Sequence, residues 1–208
     1  MNFVLSDILV VVSVLLCIMV LGRFMGIFPY LADSLSRLRG CFALESSLRV
    51  RQDRNLVALA LVIPSFLLVW RYRLYDPALI SGLDSDIRLC AVAFALTVFF
   101  LLRHLMFLIL RPRYGTENFR DAHRVADTYF IILMMSLLVI VGILTLTGMD
   151  EGTIRWVLYG VSAFIYLLFL HRCLQILSLS CNPLRTFLYL CGLEILPLSL
   201  LIVSGIVL

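Results

Sequence analysis

The chain contains no lysine; all 17 of its basic residues are arginine. That absence excludes a Schiff-base lysine and the lysine of a phosphate-binding P-loop. Charge of either sign is scarce. Only 14% of the 208 residues are charged, against about 25% in soluble domains. The sequence holds no H-E-x-x-H, no G-x-S-x-G and no G-x-G-x-x-G, so zinc-protease, serine-hydrolase and dinucleotide-binding chemistry lack their signatures. The 11 glycines form no phosphate-cradling cluster. None of the six cysteines stands in a C-x-x-C pair, which removes the zinc-ribbon and thiol-redox patterns. His104, His123 and His171 fall on separate segments. The reading is a non-enzymatic chain with no cofactor and no metal.

What the chain has in excess is apolar surface. Hydrophobic residues make up 62% and the mean hydropathy is +1.07, where soluble domains run near 45–50% apolar. A soluble fold of this length could not hide that surface. About 20 mostly apolar residues cross the roughly 30 Å of bilayer hydrocarbon, and six segments meet the requirement: about 5–28, 55–74, 87–110, 125–148, 154–177 and 186–207. The expected architecture is all-α, a polytopic transmembrane helix bundle of about six spans forming one membrane domain over 1–208. The first segment carries no Lys or Arg before its apolar run and no A-x-A site after it. It therefore reads as a retained span rather than a signal peptide. Pro29 is expected to end it. The second is the weakest, with an uninterrupted core of only Leu56–Trp70, and a re-entrant segment is its competing reading. Pro64 and Pro197 lie within spans and are expected to kink them, since proline removes a backbone donor and collides with the preceding turn.

Arginine placement orients the spans by the positive-inside rule. With both termini extracytoplasmic, 13 of the 17 arginines fall on the cytoplasmic side, leaving Arg71, Arg73, Arg88 and Arg155 outside. Between the first two spans, Leu31, Leu35, Leu38, Phe42 and Leu48 alternate with arginines. This reads either as a basic amphipathic segment on the inner membrane face or as a plain polar loop. In the first reading Arg37, Arg39, Arg49, Arg51 and Arg54 meet anionic lipid headgroups. The net charge of +4 points to lipid rather than nucleic acid. A membrane-protein partner or a second copy of the chain would dock on helix faces. Leu101-Leu102-Arg103-His104 and Leu170-His171-Arg172 also hint at repeated hairpins.

Charge inside hydrocarbon costs roughly 2.5–3.5 kcal/mol on insertion scales, so intramembrane charges are the first site candidates. At 1.5 Å per residue, Arg23, Arg103, Arg172 and Glu194 lie about 8–12 Å from the inner ends of their helices, in one layer, with His104 and His171 beside it. An arginine can reach the headgroups from that depth. Glu194 is too short and must be neutral or paired, with Arg103, Arg172 or a histidine as partner. Asp127 is read as a charge at a helix N-terminus. The candidate binding set is Glu194, Arg103, Arg172, His104 and His171.

The run Tyr189-Leu190-Cys191-Gly192-Leu193-Glu194-Ile195-Leu196-Pro197 resembles a Y-x-C-x-x-E-I-x-P signature near the C-terminus of a family of Bacteroidota multi-pass membrane proteins, a domain of unknown function. The resemblance covers most of the chain and implies a bacterial inner-membrane location. It transfers no activity and no residue role. Two functions fit: an accessory or scaffold subunit of a cell-envelope complex, or a small transporter or lipid-handling protein using Glu194 with Arg103 and Arg172.

Overall fold

The computed structural model describes residues 5–36, 48–78, 82, 84–109, 116–178 and 183–207, and among them all regular structure is helical. The helices are α1 (Leu5–Ser36), α2 (Leu48–Ala60), α3 (Val62–Arg71), α4 (Ser85–Ile109), α5 (Thr116–Leu146), α6 (Glu151–Ser178), α7 (Pro183–Leu190) and α8 (Leu196–Val207). A π-helical turn, Cys191–Ile195, joins the last two. The cause is general: a segment in hydrocarbon must satisfy its own backbone N–H and C=O groups, which a helix does without neighbours. Six stretches are long and apolar enough to cross a membrane: Asp7–Ser34, Arg49–Arg71, Ser85–Ile109, Val125–Leu146, Glu151–Ser178 and Thr186–Gly205.

The boundaries differ from expectation in three places. First, α1 does not stop at Pro29 but carries it inside the helix as far as Ser36. A single proline deletes one donor, and the rest of the ladder holds. Second, the second span begins at Arg49, not residue 55, and ends at Arg71. Its 23 residues extend about 35 Å at helical rise, enough to cross, so shortness no longer argues for a re-entrant segment. Third, α5 starts at Thr116, so Asp127 lies three turns inside a helix. The macrodipole fades within the first turn and gives Asp127 no special place. Most of the amphipathic segment proposed between the first two spans, including Arg37 and Arg39, lies outside the described residues. Its ends join α1 and α2.

Pro64 and Pro197 each disturb the ladder. Pro64 cannot donate to Ala60, and the helix is interrupted at Leu61, although the bonds from Leu61 N–H to Val57 O (3.1 Å) and from Ser65 N–H to Leu61 O (3.0 Å) keep the axis running. Pro197 cannot donate to Leu193. Immediately before it the ladder widens, and the Leu196 N–H bonds Cys191 O, five residues back. One extra residue in the turn accommodates the proline ring.

Two helices end in the same way. Arg73 (φ 48°) and Gly148 (φ 69°) adopt the left-handed conformation. Leu74 N–H reaches Val69 O at 3.0 Å and Arg73 N–H reaches Trp70 O at 3.2 Å, while Met149 N–H reaches Leu144 O at 3.3 Å and Gly148 N–H reaches Thr145 O at 3.2 Å. Both are Schellman motifs, which satisfy carbonyls the helix end leaves open. Asp150 then caps α6: its carboxylate accepts from Thr153 N–H at 2.9 Å and from the Thr153 hydroxyl at 2.6 Å.

The chain packs as two compact units, Met1–Ser65 with Arg124–Phe169, and Phe66–His123 with Leu170–Leu208. In the first, α1 packs on α2, with Ile27, Leu31 and Val57 buried. Tyr129 of α5 meets Phe169 of α6 with ring centroids 5.7 Å apart. In the second, α4 packs against the π turn and α8, with Leu89, Val92 and Leu193 buried. Many other apolar side chains are exposed, among them Met19, Phe94 and Leu101. Only 11% of the apolar window of Asp7–Ser34 and 6% of that of Ser85–Ile109 is buried, so most of the apolar surface of α1 and α4 is exposed.

Gly148 meets nothing within 4 Å at its Cβ position, so a substitution there is opposed by backbone conformation alone. Gly148→Ala is expected to cost about 1 kcal/mol in reversible unfolding in detergent micelles. The Thr153 hydroxyl, and then the Thr153 N–H, hold the Asp150 carboxyl below its ordinary range. A depressed carboxylate stabilises above its unfolded value and loses that contribution as pH falls through the depressed one. The gap in thermal midpoint between the native chain and Asp150→Ala should therefore close on acidification.

Candidate functional site

Glu194 sits in the π turn and Arg103 near the end of α4, 91 positions apart in sequence. Arg103 Nε donates to Glu194 Oε2 at 3.0 Å and Nη2 donates to Oε1 at 2.7 Å. The pair is bidentate, the geometry a planar guanidinium and a carboxylate share. Its side chains are only 15% and 12% exposed. The widened turn before Pro197 and the packing of that turn on α4 together present the carboxylate to the arginine. Of the partners sequence offered for Glu194, the structure pairs it with Arg103.

The other candidates are placed differently. Arg172 Nη1 donates to Gln175 Oε1 at 2.9 Å. A guanidinium only donates, so this bond fixes the amide with its nitrogen turned away. That nitrogen lies 2.8 Å from His171 Nε2. An amide nitrogen also only donates, so His171 Nε2 is the acceptor in this contact. Gln175, which sequence reasoning passed over as an uncharged residue on an apolar helix, therefore links the two candidates on α6. His104 follows Arg103 on α4 and is exposed.

Arg23 belongs to the other unit. Its Nη1 bonds Asp53 Oδ1 of α2 at 3.0 Å. Arg23, Arg103 and Arg172 are thus each bonded to a side chain of their own unit. Asp53 was missed because residues 29–54 read as a connection. The usable signal was one acid inside the basic run Arg49–Arg54. Arg49 is exposed and Arg51 partly so, whereas Arg54, expected at the headgroups, is 2% exposed and bonds the Asn55 side-chain oxygen.

Beside the Arg103–Glu194 pair lies an apolar cleft of about 280 Å³ between α4 and α8. Leu102 and Pro197 are in its lining, and neither Arg103 nor Glu194 is. At its other end the Tyr75 hydroxyl and Ser204 Oγ share a hydrogen bond of 3.0 Å, and the Tyr75 ring lies 3.3 Å from where a Cβ on Gly205 would stand. Among the described residues, no three His, Cys, Asp or Glu side chains are grouped as metal ligands.

Removing one member of a buried ion pair strands the other charge, at about 3–5 kcal/mol, while removing both does not. Glu194→Leu and Arg103→Leu should each lower unfolding stability in micelles by that order, and the double variant by clearly less than their sum. Additive losses would show the pair to be uncoupled.

A family model described as "Domain of unknown function (DUF4271)" matches residues 8–204. No curated protein and no solved structure matches the chain.

Proposed function

The chain belongs to the DUF4271 family, and we propose that it works as a non-enzymatic accessory or scaffold subunit of a cell-envelope complex, held in a bacterial inner membrane with both termini extracytoplasmic. The observation that carries this reading is the Arg103–Glu194 pair. Both carboxylate oxygens are engaged by Arg103, and the neighbouring cleft stops at Leu102 and Pro197. A ligand-holding acid needs access; this one lies outside the cleft's lining, holds Arg103 and works as a clasp between α4 and the π turn. The outward apolar faces of α1 and α4 supply surface for a membrane partner or a second copy. The 13-to-4 distribution of arginines supports the orientation.

A second reading, lipid handling or transport with Glu194 as the working group, draws support from the π turn, a feature frequent at functional sites, and from the apolar cleft beside it. The two readings part on charge exchange. Arg103→Glu with Glu194→Arg rebuilds a clasp but moves the carboxylate off the π turn. As a scaffold, the exchanged variant keeps its partner; as a transporter, it loses transport.

The direct test is affinity purification of the full chain from its native membrane in mild detergent after crosslinking. A stoichiometric membrane-protein partner, or a defined homo-oligomer, is the expected result. A lone monomer with no crosslinked neighbour overturns the scaffold reading.

A further inference from the structure

In the first unit, Gly22 and Gly26 lie four residues apart on one face of α1, and a Cβ on either would meet nothing within 4 Å. They floor a groove of about 660 Å³ whose other wall is the first two turns of α2. Five polar side chains line it, Arg23 and Tyr30 from α1 and Arg49, Gln52 and Asp53 from α2. Arg23 uses one nitrogen on Asp53 and keeps 53% of its side chain exposed. Its Nε and Nη2, the Arg49 guanidinium, the Gln52 amide and the Tyr30 hydroxyl make no hydrogen bond among the described residues. The charged lining residues are Arg23, Arg49 and Asp53, so the lining carries one excess positive charge.

Depth narrows what fits. Arg23 lies about 24 Å along the helix from Asp7, at 1.5 Å per residue. If hydrocarbon begins near Asp7, its far boundary comes about 30 Å on. The stretch Gly22–Tyr30 therefore crosses from acyl chains to headgroups, the level of lipid phosphodiesters. Arginine is the side chain best matched to phosphate, through parallel N–H donors. A groove at that level with idle guanidinium, amide and phenol donors, on a glycine floor that lets a ligand approach the backbone, is complementary to one chemical group.

We propose that this groove binds the phosphodiester headgroup of an anionic membrane lipid. Arg23 and Arg49 make the charged contacts, Gln52 and Tyr30 add neutral donors, and Gly22 and Gly26 leave the room. Asp53 holds Arg23 in place and sets the excess at a single charge, matching a singly charged phosphodiester. The site is independent of the scaffold reading and lies in the unit that does not contain Glu194.

The test is thermal unfolding of the full chain in zwitterionic micelles titrated with phosphatidylglycerol, phosphatidylcholine or inorganic phosphate, with native mass spectrometry counting retained lipid. Phosphatidylglycerol should raise the midpoint saturably, with one lipid retained per chain. Gly26→Leu fills the groove from a position where its Cβ touches nothing, and should weaken the lipid's effect about tenfold or more. Arg49→Gln, at an exposed position, should weaken it about tenfold, the loss of one charge-assisted contact, and decides the matter should Gly26→Leu fail to fold. An equal response to phosphatidylcholine or to inorganic phosphate alone overturns the proposal. So does a phosphatidylglycerol response that Arg49→Gln leaves unchanged.

Discussion

A carboxylate placed deep in a membrane-spanning helix must either give up its charge or find a cation within reach, because hydrocarbon offers no solvation in exchange. Glu194 meets that demand with Arg103, and much of the second unit follows from it. To offer its carboxylate to α4, the last span widens into a π turn, and Pro197 makes the widening local by removing the donor that would otherwise close an ordinary turn there. The bidentate contact then fixes the register of α4 against the π turn in a way that apolar side chains alone would leave loose. Leucine packs nearly as well one turn up or down. A guanidinium does not find its carboxylate there.

The same economy of polar groups governs the ends of the helices. Where α3 and α5 stop, the chain turns into the left-handed region and folds its next amides back onto the last carbonyls. Where α6 starts, Asp150 accepts from Thr153. Short connections such as Met149–Asp150 thereby satisfy backbone groups within a few residues. In the first unit the Arg23–Asp53 pair does at the α1–α2 contact what Arg103–Glu194 does in the second, although it is more exposed, and solvent or headgroups screen it.

The six spans were legible in the sequence because each is a run of about 20 apolar residues, and periodicity is not needed to recognise them. The errors fell where a polar residue has a partner the sequence does not display. Arg49 to Arg54 read as part of the connection between two spans, whether as a basic amphipathic segment or as a polar loop. With Asp53 opposite Arg23 and Arg54 sharing the Asn55 amide oxygen, the same residues become the first turns of the second span. Pro29 read as a helix stop, yet one missing donor inside a long apolar helix is a smaller disturbance than ending the helix would be. The intramembrane charges can be named from the sequence, but the partners they bond cannot. Depth along a helix follows from residue number, but azimuth and neighbours do not.

By itself, the sequence determined that this chain is helical, that six of its segments can cross a membrane, and that Glu194 must be neutral or paired. These follow from composition and run length, which act through transfer free energy and backbone satisfaction and so are local. Only the tertiary structure decided that the partner is Arg103, that Arg172 and His171 are tied to Gln175, and that Arg23 stands beside a glycine-floored groove. Those outcomes depend on which faces of the helices meet, and that is set by side chains as much as 91 positions apart, whose proximity no local rule contains.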